Sequence, residues 1–111
     1  MGYDNIDRTK DNAKDTVAYI RNDEKNRMAD AKAAQKKTKA DMANRVDYVK
    51  ANETADVAKL KADANEVGKE RRADYVKADT EANVKKANAN IKRYKAYAEA
   101  DAEKAKTHAN P

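Results

Sequence analysis

Four residue types are missing from this chain: cysteine, serine, phenylalanine and tryptophan do not occur among its 111 residues. Without cysteine there is no disulfide, no thiolate metal ligand and no cysteine nucleophile. Without serine, the usual nucleophile of the catalytic triads is absent. Its two glycines, Gly2 and Gly68, are too few for a phosphate-binding loop. These absences argue against nucleotide-dependent and nucleophilic catalysis, and we expect no enzymatic activity, no cofactor, no metal and no small-molecule substrate.

Large apolar residues are also scarce. Alanine supplies 24 of the 44 hydrophobic residues, and only 14 are valine, isoleucine, leucine or methionine. Valine, isoleucine, leucine and phenylalanine together make up about 10% of the chain, below the roughly 20% at which disorder becomes the expectation. A net charge of +5 on a chain that is 41% charged means that the two signs nearly cancel. The length allows one domain, 1–111, and we expect no large core within a single copy.

Membrane and secretory signals are not apparent. No apolar run approaches the roughly 20 residues of a membrane span, and the first ten residues lack the apolar centre of a secretory signal. The sequence therefore predicts a soluble protein, and it leaves the compartment open.

Alanine, lysine, glutamate, aspartate and arginine dominate the chain, and proline occurs only at Pro111, so helix is favoured throughout. The apolar residues form a first stripe with a step of about 3.6 residues, the period of a straight helix. Its members are Ile6, Ala13, Val17, Ile20, Met28, Ala31, Thr38, Met42, Val46, Val49, Val57, Leu60, Ala64 and Val67. Any partner helix should therefore lie nearly straight alongside.

A second stripe has the same period but a different phase. It comprises Ala73, Val76, Thr80, Val84, Ala87, Ile91, Tyr94, Ala98, Ala102, Ala105 and Ala109. The phase changes between Val67 and Ala73, where Gly68 is the only interior glycine. An internal repeat agrees, because DYVKANETADVAKLKA (47–62) and DYVKADTEANVKKANA (74–89) are offset by 27 residues. On one unbroken helix that offset would place the two copies on opposite faces.

These patterns predict an all-α extended hairpin: a helix over about 4–67, a turn over about 68–73 and a second helix over about 74–109. Gly68 would form the left-handed C-terminal cap and Asp74 the next N-cap. One alternative is a three-helix bundle in which the first arm folds back near residues 22–23 or 52–54. The other is a single long helix that tolerates Gly68 in its interior.

Acidic residues precede basic ones by three or four positions along the polar faces, as in Asp56/Lys59, Asp101/Lys104, Asp23/Arg27 and Asp41/Arg45. Each such pair adds only about 0.2 to 0.5 kcal/mol to helix stability. Self-association through close-packing alanine faces is the most natural way to complete the core.

Candidate chemical sites are few. His108 is the only histidine, and its place near the C-terminus predicts a solvated side chain. The carboxylate pairs Glu66/Glu70 and Glu99/Glu103 have a basic residue within a turn, which indicates a salt-bridged surface. The segments KAAQKKTK (32–39) and KRYKAY (92–97) are the best candidates for nucleic-acid contact, but acidic residues interrupt them and nucleic acid is not the expected partner. The six tyrosines are expected as plugs between alanines, with the ring buried and the hydroxyl hydrated.

Two segments, TKDNAKDTVAYI (9–20) and YAEADAEKAKTHA (97–109), resemble group 3 late embryogenesis abundant proteins in their lysine, alanine, aspartate and threonine content. That resemblance implies protection of membranes and proteins during drying. Alanine-rich coiled-coil regions of bacterial surface proteins are similar to the same degree.

The sequence thus predicts a non-enzymatic structural protein whose helices pack against further copies as an oligomer or filament. The residues expected at the assembly interface are Val46, Val49, Val57, Leu60, Val67, Val76, Val84, Ile91 and Tyr94. The first alternative is a hydrophilic stress-protective chain that folds on drying or on membranes, for which membrane surfaces would be weak partners. The second is a designed or library-derived helical sequence, as the narrow residue alphabet indicates.

Overall fold

The protein is a hairpin of two long helices. The computed structural model describes the backbone of residues 2–65 and 67–109 and the side chains of residues 8–65 and 67–109. Helix α1 spans Gly2–Asn65 and helix α2 spans Lys69–Ala109. The molecule measures 99 × 16 × 9 Å, so it is a narrow ribbon two helices wide. The predicted all-α hairpin is confirmed, and α1 runs through both places where a three-helix bundle would have folded back.

The turn between the helices depends on Gly68, as predicted. Gly68 has φ +57°, a left-handed conformation that side chains other than glycine disfavour. The turn is short, because the amide of Glu70 already donates to the carbonyl of Val67 at 3.3 Å and that of Arg72 to Gly68 at 3.2 Å. Among the described residues of the connection, Gly68 is the one in the left-handed conformation.

Two details of the predicted turn are wrong. Helix α2 begins at Lys69, five residues before the expected N-cap at Asp74. Lysine, glutamate and arginine are good helix formers, and Glu70 in the first turn complements the positive end of the helix dipole. Helix α1 ends at Asn65, so Val67 belongs to the turn and not to the first helical stripe.

Alanines form the buried centre of the interface between the two helices, which we call the seam. The buried residues of the described chain are all alanines: Ala33, Ala51, Ala55, Ala62, Ala78, Ala82, Ala89 and Ala100. Four of them, Ala51, Ala55, Ala78 and Ala82, form one cluster near the middle of the ribbon. Because alanine projects only a methyl group, the two helix backbones can approach closely along the whole contact.

The seam repeats every 11 residues. In α1 the series is Ala29, Ala40, Ala51, Ala62, and in α2 it is Ala78, Ala89, Ala100. Eleven residues fill three turns at about 3.67 residues per turn, close to the natural period of an α-helix. The same face of each helix therefore returns to the partner helix with little supercoiling.

Helix α1 is longer than α2, with 64 residues against 41. His108, near the end of α2, lies beside Asp30, with His108 Nε2 2.8 Å from Asp30 Oδ1. Residues 2–26 of α1 therefore extend past the end of α2, and we call them the overhang. All described side chains from Arg8 to Arg21 are exposed.

Candidate interaction surfaces

Polar side chains flank the alanine seam in a repeated four-residue module. In the first copy, Lys37 Nζ lies 2.7 Å from Asp101 Oδ1, and the Tyr97 hydroxyl donates to Asp41 Oδ1 at 2.7 Å. The Lys37 ammonium also lies 5.3 Å from the centre of the Tyr97 ring, within the range of a cation–π contact. Both helices carry the sequence pattern K/Y-x-x-A-D here. The first residue of the pattern on each helix bonds to the aspartate that ends the pattern on the other helix.

The second copy of this module lies 22 residues away on each helix. Lys59 Nζ is 2.6 Å from Asp79 Oδ1, and the Tyr75 hydroxyl donates to Asp63 Oδ1 at 2.5 Å. Lys59 lies 5.5 Å from the centre of the Tyr75 ring. The segments KTKAD (37–41) and KLKAD (59–63) of α1 therefore pair with YAEAD (97–101) and YVKAD (75–79) of α2.

Between these two modules the roles of the helices are exchanged. Tyr48 is now on α1, and its hydroxyl donates to Asn90 Oδ1 at 3.0 Å, while Lys86 of α2 lies 5.7 Å from the Tyr48 ring centre. Asn44 Nδ2 donates to the same Asn90 oxygen at 3.1 Å. The three modules follow one another at 11-residue intervals, so the polar contacts keep the same register as the alanines.

The cross-helix bonds shift the pKa values of their members. A hydrogen bond to Asp79 raises the pKa of Lys59, and hydrogen bonds to Asp63 and Asp41 raise the pKa values of Tyr75 and Tyr97. Lys36 has a raised pKa because it bonds to Glu99, with Glu103 adding to the effect. Each shift favours the protonated form, which is the form that donates the hydrogen bond in the module.

The same contacts correct several expectations. The Tyr48, Tyr75 and Tyr97 hydroxyls are bonded across the seam and not left to water. His108 is likewise not simply solvated, because it meets Asp30 at 2.8 Å. Asp23 and Arg27 do pair within α1 at 3.1 Å, as predicted, whereas Lys59 makes its short contact across to α2.

Part of the basic and acidic candidate segments belongs to this network. Lys36 lies 3.3 Å from both Glu99 and Glu103, so that carboxylate pair faces an ammonium group. Lys37 and Tyr97, from the two basic segments, bond to Asp101 and Asp41. These contacts reduce the charge and the ring surface that a phosphate or a base could meet. Glu66 lies outside the described residues.

The larger aliphatic residues lie on the two outer edges of the ribbon. The α1 edge contains Val46, Val49, Val57 and Leu60, and the α2 edge contains Val76, Val84, Ile91 and Tyr94; all eight are between 49% and 67% exposed. Val67, predicted with them, is 82% exposed but lies in the turn. The hairpin thus leaves the predicted assembly residues uncovered, on two separate strips and not on one face.

Helix geometry explains why these residues point away from the seam. Val49 stands two positions before Ala51, and Ile91 stands two positions after Ala89. Two residues turn an α-helix by about 200°, which carries the side chain to the opposite side. The two edges therefore face in opposite directions, across the 16 Å width of the ribbon.

The grooves beside the seam offer little for small-molecule chemistry. The groove of about 360 Å³ near the end of α2 is lined by residues including Arg21, Met28 and Thr107, and it lies on the open surface. Within the described chain, no group of three or more histidine, cysteine, aspartate or glutamate side chains is arranged to hold a metal ion. No described helix is long and apolar enough to cross a membrane. The surfaces on which residues of related chemistry are arranged in a regular pattern are the seam and the two edges.

Comparisons with known proteins add no relative: no family model matches the chain, and no curated protein or solved structure shows significant similarity to it.

The seam modules are the main feature that sequence reasoning missed. The signal was present as the pattern K/Y-x-x-A-D/N, which starts at Lys37, Tyr48 and Lys59 in α1 and at Tyr75, Lys86 and Tyr97 in α2. A search at 11-residue spacing, with alanine and not valine as the marker of the interface, would have found it.

Proposed function

We propose that this chain is a non-enzymatic structural protein whose helical ribbons assemble side by side through their outer edges. One observation carries the proposal: the larger apolar residues of both edges are about half exposed or more, while every buried residue of the seam is an alanine. Covering the exposed half of one valine or isoleucine would contribute about 1 kcal/mol. Several such contacts along an edge are needed for stable association. Each edge has four larger apolar residues, and they lie along one side of its helix.

The arrangement of the edges favours growth beyond a dimer. Each ribbon has two different edges on opposite sides, and the α1 edge of one copy can pack on the α2 edge of the next. A contact between two different surfaces leaves a free surface at each end, so it generates a ring or an open array. This supports an oligomer or filament as the assembled form.

A charged residue on either edge tests the proposal. We expect Val49→Lys and Ile91→Lys each to lower the sedimentation-derived mass while circular dichroism retains full helicity, because both side chains point away from the seam. Asn88→Lys is the matched control: it adds the same charge at an exposed position of α2 off the α2 edge, and it should leave the mass unchanged.

Sedimentation and melting of the wild-type chain provide the clearest test against edge assembly. If it sediments as a monomer over a hundredfold range of concentration, with a melting temperature that does not depend on concentration, edge assembly is wrong. Equal effects of Asn88→Lys and Val49→Lys would also contradict it, since only general charge repulsion would then be at work.

A second candidate function is that of a hydrophilic stress-protective chain. It is favoured by the thinness of the buried interface, which consists of eight alanines in the described chain. Such an interface gives little hydrophobic stabilisation, so the isolated hairpin would be sensitive to water activity. Circular dichroism in plain buffer separates the two functions: strong helicity favours assembly, and a coil spectrum that becomes helical on dehydration favours protection.

A further inference from the structure

Basic residues follow one side of α1 in a regular pattern. They form three pairs of the type K/R-x-x-x-K, and each pair begins 11 residues after the one before it. Eleven residues fill three helical turns, so the three pairs return to the same side of the helix. We call these six residues the basic row: Lys10, Lys14, Arg21, Lys25, Lys32 and Lys36.

The basic row is accessible along most of its length. Its first two pairs lie in the overhang, beyond the end of α2. All of its members are exposed except Lys36, whose side chain is 34% exposed. Arg21, Lys25 and Lys32 line the open groove of about 360 Å³ that also contacts Thr107. A large, extended ligand can therefore reach all three pairs from one direction.

Few carboxylates lie next to the basic row. Lys36 lies 3.3 Å from both Glu99 and Glu103, and Glu24 lines the same groove as the middle pair. At the pair positions of the next 11-residue interval stand an alanine and an aspartate, at residues 43 and 47. The row is therefore confined to the end of the ribbon that carries the overhang.

The acidic residues of the overhang lie elsewhere around the helix. Asp11 and Asp15 each follow a lysine of the basic row by one position, and Asp23 follows Arg21 by two. One and two residues turn an α-helix by about 100° and 200°. The charges of this part of α1 are thus separated by side, although the two signs nearly cancel along the sequence.

We propose that the basic row binds the phosphate backbones of a nucleic-acid duplex, with α1 lying along the duplex. The pairs recur at intervals of about 16.5 Å along the helix. One turn of duplex DNA is about 34 Å long, so a line along its surface crosses one of the two strands about every 17 Å on average. Each pair can therefore meet one backbone crossing, and the long basic side chains can follow the unequal groove widths.

The chemistry of the basic row favours a duplex over other polyanions. None of its residues is aromatic, so it offers no surface on which unpaired bases could stack, as they do in single-strand binding proteins. Between the pairs, the same side of the helix adds Val17, Met28 and Lys39. Two larger apolar residues in about 40 Å of helix are too few to anchor it in a bilayer interface.

Segment 32–39, considered alone, does not favour nucleic acid. It contains only the last pair of the basic row, and Lys36 and Lys37 bond to carboxylates of α2. The other four cations come from residues 10–25, where acidic residues alternate with them in the sequence. Helical geometry places these cations on one side. A single copy presents the whole row, so the inference does not depend on lateral assembly.

Binding to a labelled DNA duplex of about 30 base pairs, roughly three turns, tests the inference. Fluorescence anisotropy gives the dissociation constant over a series of salt concentrations. Five or six phosphate contacts predict a slope of about 5 for log Kd against log salt concentration. A second duplex of the same length and unrelated sequence should bind equally well, because phosphate contacts carry no sequence information. No binding at low salt, or a slope below about 2, would overturn the inference.

Removal of the middle pair locates the contact. Arg21→Gln combined with Lys25→Gln should weaken binding at low salt about tenfold or more and lower the slope by about 2. The matched control is Lys69→Gln combined with Arg72→Gln, which removes the same charges from exposed positions of α2 beside the turn. It should leave the slope unchanged, and circular dichroism should show full helicity in both variants. Equal effects of the two double variants would mean that net charge, and not the basic row, attracts the duplex.

Other polyanions provide the remaining outcomes. The duplex should bind more tightly than a single strand of the same length, and vesicles containing phosphatidylserine should not displace it at equal phosphate concentration. Tighter binding to the single strand would contradict the match between the pairs and the two backbones. Vesicle binding that is lost in the Arg21/Lys25 variant, without binding to the duplex, would assign the basic row to a lipid surface and overturn the proposal.

Discussion

The seam and the outer edges of this ribbon differ in the size of their apolar residues. The seam contains alanine, buried to 2% exposure at Ala51, whereas Val49, two residues away, is 54% exposed. Most small proteins bury their larger aliphatic residues first. Here the smallest apolar side chains are inside and the larger ones are outside, and the proposed assembly through the edges would cover the larger ones.

The polar contacts differ between the two surfaces as well. Along the seam, lysines, tyrosines and aspartates bond across the helices in a fixed register, as at Lys59 and Asp79. Exposed ion pairs add little energy, typically less than 1 kcal/mol each. Their value lies in alignment, because a slip of either helix would break all three modules together. The edges lack such cross-helix bonds, and shape and apolar area would have to select their partner.

The largest effect should come from enlarging a seam alanine. Ala51→Leu forces the two helices apart at the centre of the alanine cluster, and we expect a loss of about 1 to 3 kcal/mol in the free energy of unfolding. Val49→Leu is the matched control on the α1 edge and should change stability by less than about 0.5 kcal/mol. Thermal melts followed by circular dichroism give both values, and equal destabilisation would show that the seam is not the tighter of the two surfaces.

A smaller loss in the free energy of unfolding is expected at the turn, which brings the two helices of the seam together. Gly68→Ala should cost about 1 kcal/mol, because alanine disfavours the left-handed conformation at φ +57°. Apart from Gly68 itself and its two chain neighbours, no described atom lies within 4 Å of the position that the added methyl would take, so the cost comes from the local backbone conformation and not from a clash with the rest of the protein. Gly68→Asn should recover part of it, since asparagine tolerates this conformation better. Urea unfolding measures both; if asparagine is no better than alanine, backbone conformation is not the cause.

The sequence was sufficient for the helices and the turn, because those features depend on local chemistry. Alanine, lysine and glutamate favour helix, and a lone glycine at a change of phase marks a reversal. The early start of α2 at Lys69 was missed since Asp74 is the stronger capping residue by type. Because lysine, glutamate and arginine follow Gly68 directly and favour helix, α2 begins there without a capping residue such as Asp74.

The seam was harder to predict, because sequence reasoning ranks apolar positions by size. Both predicted stripes follow the larger apolar residues and the alanines in phase with them, and neither contains Ala51 or Ala89. In a ribbon of two helices, the face that packs best is the one that allows the closest approach, and side-chain volume opposes that. Interhelical partners such as Asp41 and Tyr97 depend on the relative register of two distant segments, which local patterns do not supply.

The smallest effect should be a loss of stability of the seam at high pH. The hydrogen bond from Tyr97 to Asp41 raises the pKa of Tyr97, with burial and the charge of Asp41 adding to it. The folded-state pKa therefore lies above the unfolded value of about 10. The stability from this bond is fully present below about pH 10 and is lost as pH rises through the folded pKa.

Absorbance of the ionised phenol follows this directly. The difference between the titration curves of the wild type and Tyr97→Phe isolates Tyr97, and we expect its midpoint above pH 10. Asp41→Asn should move that midpoint downward, because it removes the charged acceptor that favours the neutral phenol. A wild-type midpoint at or below about 10, or one that does not respond to Asp41→Asn, would mean that the Tyr97–Asp41 bond does not hold the seam in solution. Close packing of alanine alone would then distinguish the seam from the edges.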